Sequence, residues 1–134
     1  EQLQCNDDCS HLKVIENRLS LIASKVKKII IIYPVPTHPY NVAESYFFRK
    51  NIWGNVVSSD YARWREESLN SYQFLDNLNL PNSHKIITES LFCYEENNTC
   101  IASTKDTLYY ADTNHLTIEG NELIIEKLVN LVNK

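Results

Sequence analysis

The sequence predicts an α/β protein, because helix-patterned segments alternate with apolar strands. The first strand is Ile29–Ile32, four isoleucines without polar alternation, which is typical of a strand buried on both faces of a parallel sheet. A second strand is expected around residues 85–88. Apolar residues recur at helical spacing before the first strand, between the strands and at the C-terminus. The order helix, strand, helix, strand, helix belongs to folds whose sites lie at the carboxyl ends of parallel strands.

The three predicted helices each have a candidate N-cap. Ser10, Asp60 and Thr117 precede the three apolar-periodic segments, and side chains of these types accept hydrogen bonds from the first turn of a helix. The middle helix is expected to end before Pro81. Residues 37–50 show no clear periodicity, so we expect a loop there with one short helix.

Composition and charge exclude several classes of protein. The chain has 134 residues, enough for one modest domain, and 43% of them are apolar, as in a core-forming globular protein. The net charge of -4 argues against a nucleic-acid partner. No apolar run approaches the roughly 18–20 residues that cross a bilayer. The chain starts at Glu1 and contains no methionine, from which we expect a processed product, an excised domain or a fragment.

The four cysteines fall into two local pairs, Cys5 with Cys9 and Cys93 with Cys100. Reduced thiols and zinc binding are the alternatives. Against zinc, neither pair has C-x-x-C spacing and no histidine follows at finger spacing. Two short-loop disulfides in an extracytoplasmic domain fit the spacing better. Residues 97–99, Asn-Asn-Thr, also form an N-glycosylation sequon, whose meaning depends on passage through a eukaryotic secretory pathway.

The candidate site is in "LYYADTNHLTIEG", where Asp112 and His115 stand three residues apart before the last predicted helix. A carboxylate beside an imidazole fixes its tautomer and stabilises the imidazolium that forms on proton uptake. A neutral imidazole is a competent general base at neutral pH. The alternative is structural: Asp112 caps a turn and His115 lies half-buried against the last helix. His38, in the loop after the first strand, is expected to be solvated, with substrate contact as the alternative.

The surrounding sequence, "LFCYEENNTCIASTKDTLYYADTNHLTIEGNELI", resembles the end of an SGNH (GDSL-like) domain. It is most similar to the SGNH domain fused to membrane O-acyltransferases of acyltransferase family 3. In that family a cysteine pair brackets a short loop, an aromatic-rich strand leads into Asp-x-x-His-Leu-Ser/Thr, and a glycine opens the last helix. Here these elements are Cys93, Cys100, Leu108-Tyr109-Tyr110, Asp112, His115-Leu116-Thr117 and Gly120. Residues 27–36 resemble the family's strand that ends in a proline-containing loop.

The resemblance implies a three-layer α/β/α sandwich with a flavodoxin-like parallel sheet, the SGNH hydrolase fold. It also implies a Ser-His-Asp mechanism, in which a serine of a Gly-Asp-Ser motif attacks an ester while other groups hold the oxyanion. Residue by residue, only His115 as general base and acid and Asp112 as its orienter carry over. The implied activity is transfer of an acyl group, acetyl being the expected one, to a hydroxyl-bearing acceptor such as a glycan. No cofactor and no metal are expected.

The chain departs from the family in its nucleophile block. Its two glycines, Gly54 and Gly120, stand outside any Gly-Asp-Ser context. We therefore expect residues 1–134 to be the C-terminal part of a single SGNH domain that is incomplete at its N-terminus, with the serine upstream of Glu1. Its expected partners are the N-terminal half of that domain and a membrane acyltransferase module, on the extracytoplasmic side of a membrane. The alternatives are an esterase of the same fold and a degenerate, non-catalytic extracellular binding domain.

Overall fold

The structure is a computed structural model that describes residues 9–49 and 56–133. The described residues form five α-helices and five β-strands. The helices are α1 (Cys9–Ala23), α2 (Val42–Arg49), α3 (Tyr61–Asn77), α4 (Glu89–Phe92) and α5 (Ile118–Val132). The strands are β1 (Ile29–Ile32), β2 (Ser58–Asp60), β3 (Ser83–Ile86), β4 (Cys93–Tyr94) and β5 (Thr99–Ile101). The predicted α/β class, the first strand and the three long helices are confirmed.

Strands β1 and β3 form a parallel pair, in register from Ile29 opposite Ser83 to Ile32 opposite Ile86. The second predicted strand therefore exists, but it begins and ends two residues earlier than expected. Its end is fixed by Thr88, whose hydroxyl donates to the Pro34 carbonyl at 2.6 Å and which directly precedes α4. The stretch from β1 to β3, which contains α2, β2 and α3, is the long crossover that a parallel pair requires.

The prediction that β1 is buried on both faces is wrong for the described residues. Ile29 and Ile31 pack against a core cluster of Ala23, Leu78 and Leu80. Ile32 lies on the opposite face, because side chains alternate along a strand, and it is 46% exposed. The described chain thus covers one face of β1 at this point and leaves the other open.

A second sheet, which the sequence analysis missed, is antiparallel with the strand order β2-β5-β4. Its hairpin runs through a 3-10 turn at Glu95–Asn97 and reverses at Asn98, which adopts a left-handed conformation with φ of 47°. Cys93 and Cys100 face each other in the hairpin and are joined by a disulfide. This disulfide confirms the predicted pairing over zinc for these two cysteines.

Two of the three predicted helix caps are confirmed. Asp60 accepts a hydrogen bond from the Arg63 amide at 2.7 Å, and Thr117 accepts one from the Gly120 amide at 3.2 Å. The third is wrong: α1 begins at Cys9, so Ser10 lies inside the helix. Helix α3 ends at Asn77, before Pro81 as expected, and α2 is the short helix expected within residues 37–50.

The largest core cluster lies between α2, the second sheet and the segment that leads into α5. Its fully buried members are Val42, Val57, Phe92, Ala102 and Tyr110. Tyr110 directly precedes the segment of Asp112 and His115, so the core fixes one end of that segment. The expected disulfide between Cys5 and Cys9, and Gly54, lie outside the part of the chain whose side chains are described. Within the described part, no helix combines the length and the apolar character that a membrane crossing requires.

Candidate functional site

Asp112 and His115 lie on one tight turn that the aspartate itself closes. The Asp112 Oδ1 atom accepts hydrogen bonds from the backbone amides of Asn114 at 2.9 Å and His115 at 2.8 Å. The other carboxylate oxygen, Oδ2, is 2.7 Å from His115 Nδ1. The turn-capping function proposed as the structural alternative is therefore present together with the carboxylate–imidazole contact, since the two oxygens serve different partners.

Backbone hydrogen bonds hold both ends of this turn. The Ala111 amide donates to the His115 carbonyl at 2.8 Å, and Tyr110 pairs with Leu116 in an isolated antiparallel bridge. Beyond the turn, Thr117 donates its amide to the Tyr109 carbonyl at 2.9 Å. The site thus sits at the tip of a short, closed loop that leads directly into α5.

Gly120 allows helix α5 to approach this loop closely. A Cβ atom at position 120 would lie 2.2 Å from the Tyr109 carbonyl oxygen, well inside van der Waals contact, and 3.0 Å from Leu116. The glycine is therefore required by the close approach of helix and backbone. The glycine of the sequence motif is thus explained by the close contact of α5 with the Tyr109 carbonyl.

The loop that follows β1 contacts the same turn. The His38 amide donates to the Thr113 carbonyl at 2.8 Å, and the Val42 amide donates to the Asp112 carbonyl at 3.4 Å. The loop after β1 and the Asp112–His115 turn therefore lie side by side. The pair is placed where α/β sheets carry their sites, at the carboxyl end of a parallel strand.

The hydrogen bonds at the turn set the charge of the aspartate. The Asn114 amide, the His115 amide and the His115 ring, in that order of importance, lower the pKa of Asp112 to about 2. Asp112 is therefore ionised at neutral pH and accepts hydrogen bonds only. His115 Nδ1 consequently carries the hydrogen toward Asp112, and in the neutral ring Nε2 is a free acceptor.

The imidazole faces solvent. The His115 side chain is 75% exposed and the Asp112 side chain 40% exposed. Within the described chain, the His115 ring makes its hydrogen bond to Asp112, and Nε2 has no protein partner. The expectation of a half-buried His115, under the structural alternative, is wrong. An exposed, oriented and unpartnered Nε2 is suited to accept a proton from a group that approaches from outside the described residues.

The expectation that His38 is solvated is also wrong. Its side chain is 3% exposed, and its ring meets Tyr110 edge to face with centroids 4.5 Å apart. Burial, with the nearby Arg63 charge as the smaller cause, lowers the pKa of His38 to about 4. Neither ring nitrogen has a hydrogen-bond partner among the described residues. His38 lies beneath the turn, and a buried Pro36 two residues before it marks a loop packed into the interior.

Other candidate ligand groups do not converge on the pair. A groove of about 350 Å³ between β3, α4 and α5 is lined by residues that include Ile86, Leu91 and Lys127, but Asp112 and His115 do not line it. No cluster of three or more histidine, cysteine or acidic side chains able to hold a metal occurs among residues 9–49 and 56–133.

The fold and the site together define an α/β domain with an oriented histidine at the carboxyl end of its parallel strands. The family model described as SGNH domain (fused to AT3 domains) matches residues 10–130, and the chain belongs to this SGNH family. The resemblance read from the sequence and its fold class are thereby confirmed. No curated protein and no solved structure matches the chain significantly. The family description associates the domain with acyltransferase modules, and so with a membrane protein.

Proposed function

We propose that this chain supplies the general base and its orienter to a Ser-His-Asp acyl transfer. The observation that carries the proposal is the 2.7 Å contact of Asp112 Oδ2 with His115 Nδ1, which leaves Nε2 exposed and without a partner among residues 9–49 and 56–133. His115 Nε2 takes the proton of a serine hydroxyl as the serine oxygen attacks an ester carbonyl. It then returns that proton to the leaving oxygen as the acyl-serine forms, while Asp112 stays ionised.

The second half of the reaction repeats these steps in reverse. An acceptor hydroxyl gives its proton to His115 Nε2 and attacks the acyl-serine carbonyl, and the serine leaves with the proton that His115 returns. The acyl group is proposed to be acetyl and the acceptor a hydroxyl-bearing molecule such as a glycan. The membrane acyltransferase module is proposed to present the acyl donor.

The nucleophile is proposed to lie upstream of Glu1, with residues 1–134 forming the C-terminal part of a single SGNH domain. The chain has no Gly-Asp-Ser, and no hydroxyl contacts His115 Nε2 in its described part. Apolar side chains of β1 and α5 are also exposed, as expected of surfaces that pack against further protein. They are Ile32 at 46%, Ile118 at 77%, Ile125 at 50%, Val129 at 48% and Val132 at 59% exposed.

The domain is proposed to lie on the extracytoplasmic side of the membrane. The disulfide between Cys93 and Cys100 supports this placement, because such bonds persist in oxidising compartments and are rare in the cytosol. An esterase of the same fold is the second candidate. The two candidates differ in whether the completed site admits water as the acceptor.

Labelling of the full-length polypeptide with a fluorophosphonate probe tests the proposal, with the adduct mapped by mass spectrometry. We expect an adduct on a serine upstream of Glu1 that is lost in His115→Ala and retained in His11→Ala, a control at an exposed histidine of α1. A labelled serine within residues 1–134 would overturn the proposed position of the nucleophile. A folded protein that does not label at all would favour a non-catalytic binding domain.

A further inference from the structure

The tip of the disulfide-closed hairpin carries an asparagine that is presented for modification. Residues 97–99 read Asn-Asn-Thr, the acceptor pattern of N-linked glycosylation. We propose that Asn97 carries an N-linked glycan. The inference rests on the proposed extracytoplasmic location and is independent of the proposed catalysis.

The neighbouring residues Asn97 and Asn98 differ in their hydrogen bonds. Asn98 accepts a hydrogen bond from the Ala62 amide at 2.9 Å and donates one to Asp60 at 2.8 Å, so its amide is committed to the N-terminus of α3. Asn97 is exposed, and its backbone carbonyl accepts a hydrogen bond from the Thr99 hydroxyl at 2.9 Å. Of these two asparagines, Asn97 therefore offers the accessible carboxamide, and the Thr99 hydroxyl is bound to the Asn97 backbone carbonyl.

The surroundings of Asn97 suit a hydrophilic adduct. The turn Glu95–Asn97 and the following Asn98 are all exposed and polar, so a glycan there would extend into solvent without uncovering the core. The disulfide of Cys93 and Cys100 closes the base of the same hairpin. It is an independent indication of an oxidising compartment, which in eukaryotic cells is also where glycans are attached to asparagine.

The chemistry needs a saccharide activated on a lipid diphosphate as the donor. The Asn97 carboxamide nitrogen attacks the anomeric carbon and a C–N bond forms. The bond between that carbon and the diphosphate oxygen breaks, and the nitrogen loses a proton. The lipid diphosphate is the leaving group, and no oxidant or reductant is required.

The test is site mapping on the full-length polypeptide made in a eukaryotic secretory host. The purified protein is treated with peptide N-glycosidase in heavy-oxygen water, so that a formerly glycosylated asparagine becomes an isotope-labelled aspartate. We expect the label at position 97 and its loss in Asn97→Gln and Thr99→Val. Thr99→Ser keeps the hydroxyl and should keep the label, and Asn79→Gln, at an exposed asparagine outside any sequon, should not change it.

Two outcomes would overturn the inference. Secreted protein with an intact Cys93–Cys100 disulfide and an unlabelled Asn97 would exclude the glycan while leaving the location standing. Protein retained in the cytosol with reduced cysteines would overturn the location and the glycan together. Neither result bears on catalysis, because the fluorophosphonate adduct is measured separately and Asn97→Gln is expected to leave it unchanged.

Discussion

Asp112 uses its two oxygens for two purposes, and a substitution can separate them. Asp112→Asn keeps an oxygen for the Asn114 and His115 amides but turns an NH₂ group toward His115 Nδ1. Nδ1 then has to accept a hydrogen bond from this group, so the ring hydrogen moves to Nε2. We expect the rate of fluorophosphonate labelling of the full-length protein to fall by roughly 10³-fold or more, with the turn retained.

The matched control is Asp106→Asn, at an exposed aspartate, which should label at the wild-type rate. The ring-nitrogen resonances of His115 give a second measurement that does not depend on activity, since they report which nitrogen carries the hydrogen. Wild-type labelling by Asp112→Asn, with the tautomer unchanged, would show that the carboxylate does not orient the base.

Because His38 is buried, the stability of the domain is expected to depend on pH. Its pKa is lowered from 6.5 to about 4 in the folded state, so between these values the unfolded chain binds a proton that the folded chain does not. Stability is therefore full above pH 6.5 and falls as the pH drops from 6.5 toward 4, by at most about 3 kcal/mol. Asp112 acts in the same direction but lower, as the pH falls from 3.8 toward about 2.

Urea unfolding between pH 4 and pH 7 tests the contribution of His38. We expect His38→Phe to flatten the decline in the free energy of unfolding, because phenylalanine keeps a buried ring that does not titrate. His84→Phe, at an exposed position of β3, should retain the wild-type slope. An unchanged slope in His38→Phe would mean that another group carries the acid dependence.

The Asp112–His115 pair and His38 also differ in how far their environments can be predicted from sequence. Asp112 and His115 are three positions apart, so the hydrogen bonds that join them are local and follow from the spacing. The burial of His38 depends on contacts such as the one with the Tyr110 ring, which lies distant in sequence, and no local pattern reports such a contact. Sequence reasoning accordingly found the pair but placed His38 in solvent.

At the scale of elements, helix α5 can approach the loop that carries Asp112 and His115 because residue 120 is a glycine. In Gly120→Ala the new Cβ would meet the Tyr109 carbonyl at 2.2 Å, and neither the helix nor this backbone can absorb that overlap without moving. We expect a loss of about 1–3 kcal/mol in the free energy of unfolding, as for overpacked sites. Labelling should also slow, because His115 lies between the two elements.

Glu122→Ala is the control, an exposed position on the same helix that should change unfolding and labelling little. Thermal unfolding monitored by circular dichroism is a sufficient measurement. A Gly120→Ala protein as stable as the wild type would contradict the close approach of α5 to Tyr109.

The disulfide in the hairpin of β4 and β5 also contributes measurably to the free energy of unfolding. The bond between Cys93 and Cys100 closes a loop of seven residue steps, and loop-closure entropy predicts a stabilisation of about 2.5 kcal/mol. The double substitution Cys93→Ala, Cys100→Ala should lower the free energy of unfolding by that order in urea titration. A wild-type unfolding midpoint in the double variant would contradict this contribution.

The elements that sequence predicted are those with a long periodic signal. Helices α3 and α5 span 17 and 15 residues and have side-chain caps, so both were recognised. The strands of the second sheet have only two or three residues each, too few for alternation to register. Their pairing is set by contacts between β2 and β5, about 40 positions apart, and by the disulfide.

At the scale of the molecule, the proposed completion by an upstream segment has a direct consequence. Ile32 on β1 and the exposed apolar side chains of α5 should be covered in the full-length polypeptide. We expect the amides of β1 and α5 to exchange with deuterium more slowly there than in the 134-residue chain alone. Equal exchange in both proteins would show that these surfaces are not packed against upstream residues.

The measurement that tests the central claim most directly is a structure of the full-length domain with a phosphonate trapped at its nucleophile. The account predicts a serine upstream of Glu1 whose Oγ lies about 2.6–3.2 Å from His115 Nε2, with Asp112 still bound to Nδ1. A nucleophile that approaches a different base, or a folded domain with no serine near His115, would contradict the claim that this pair activates it.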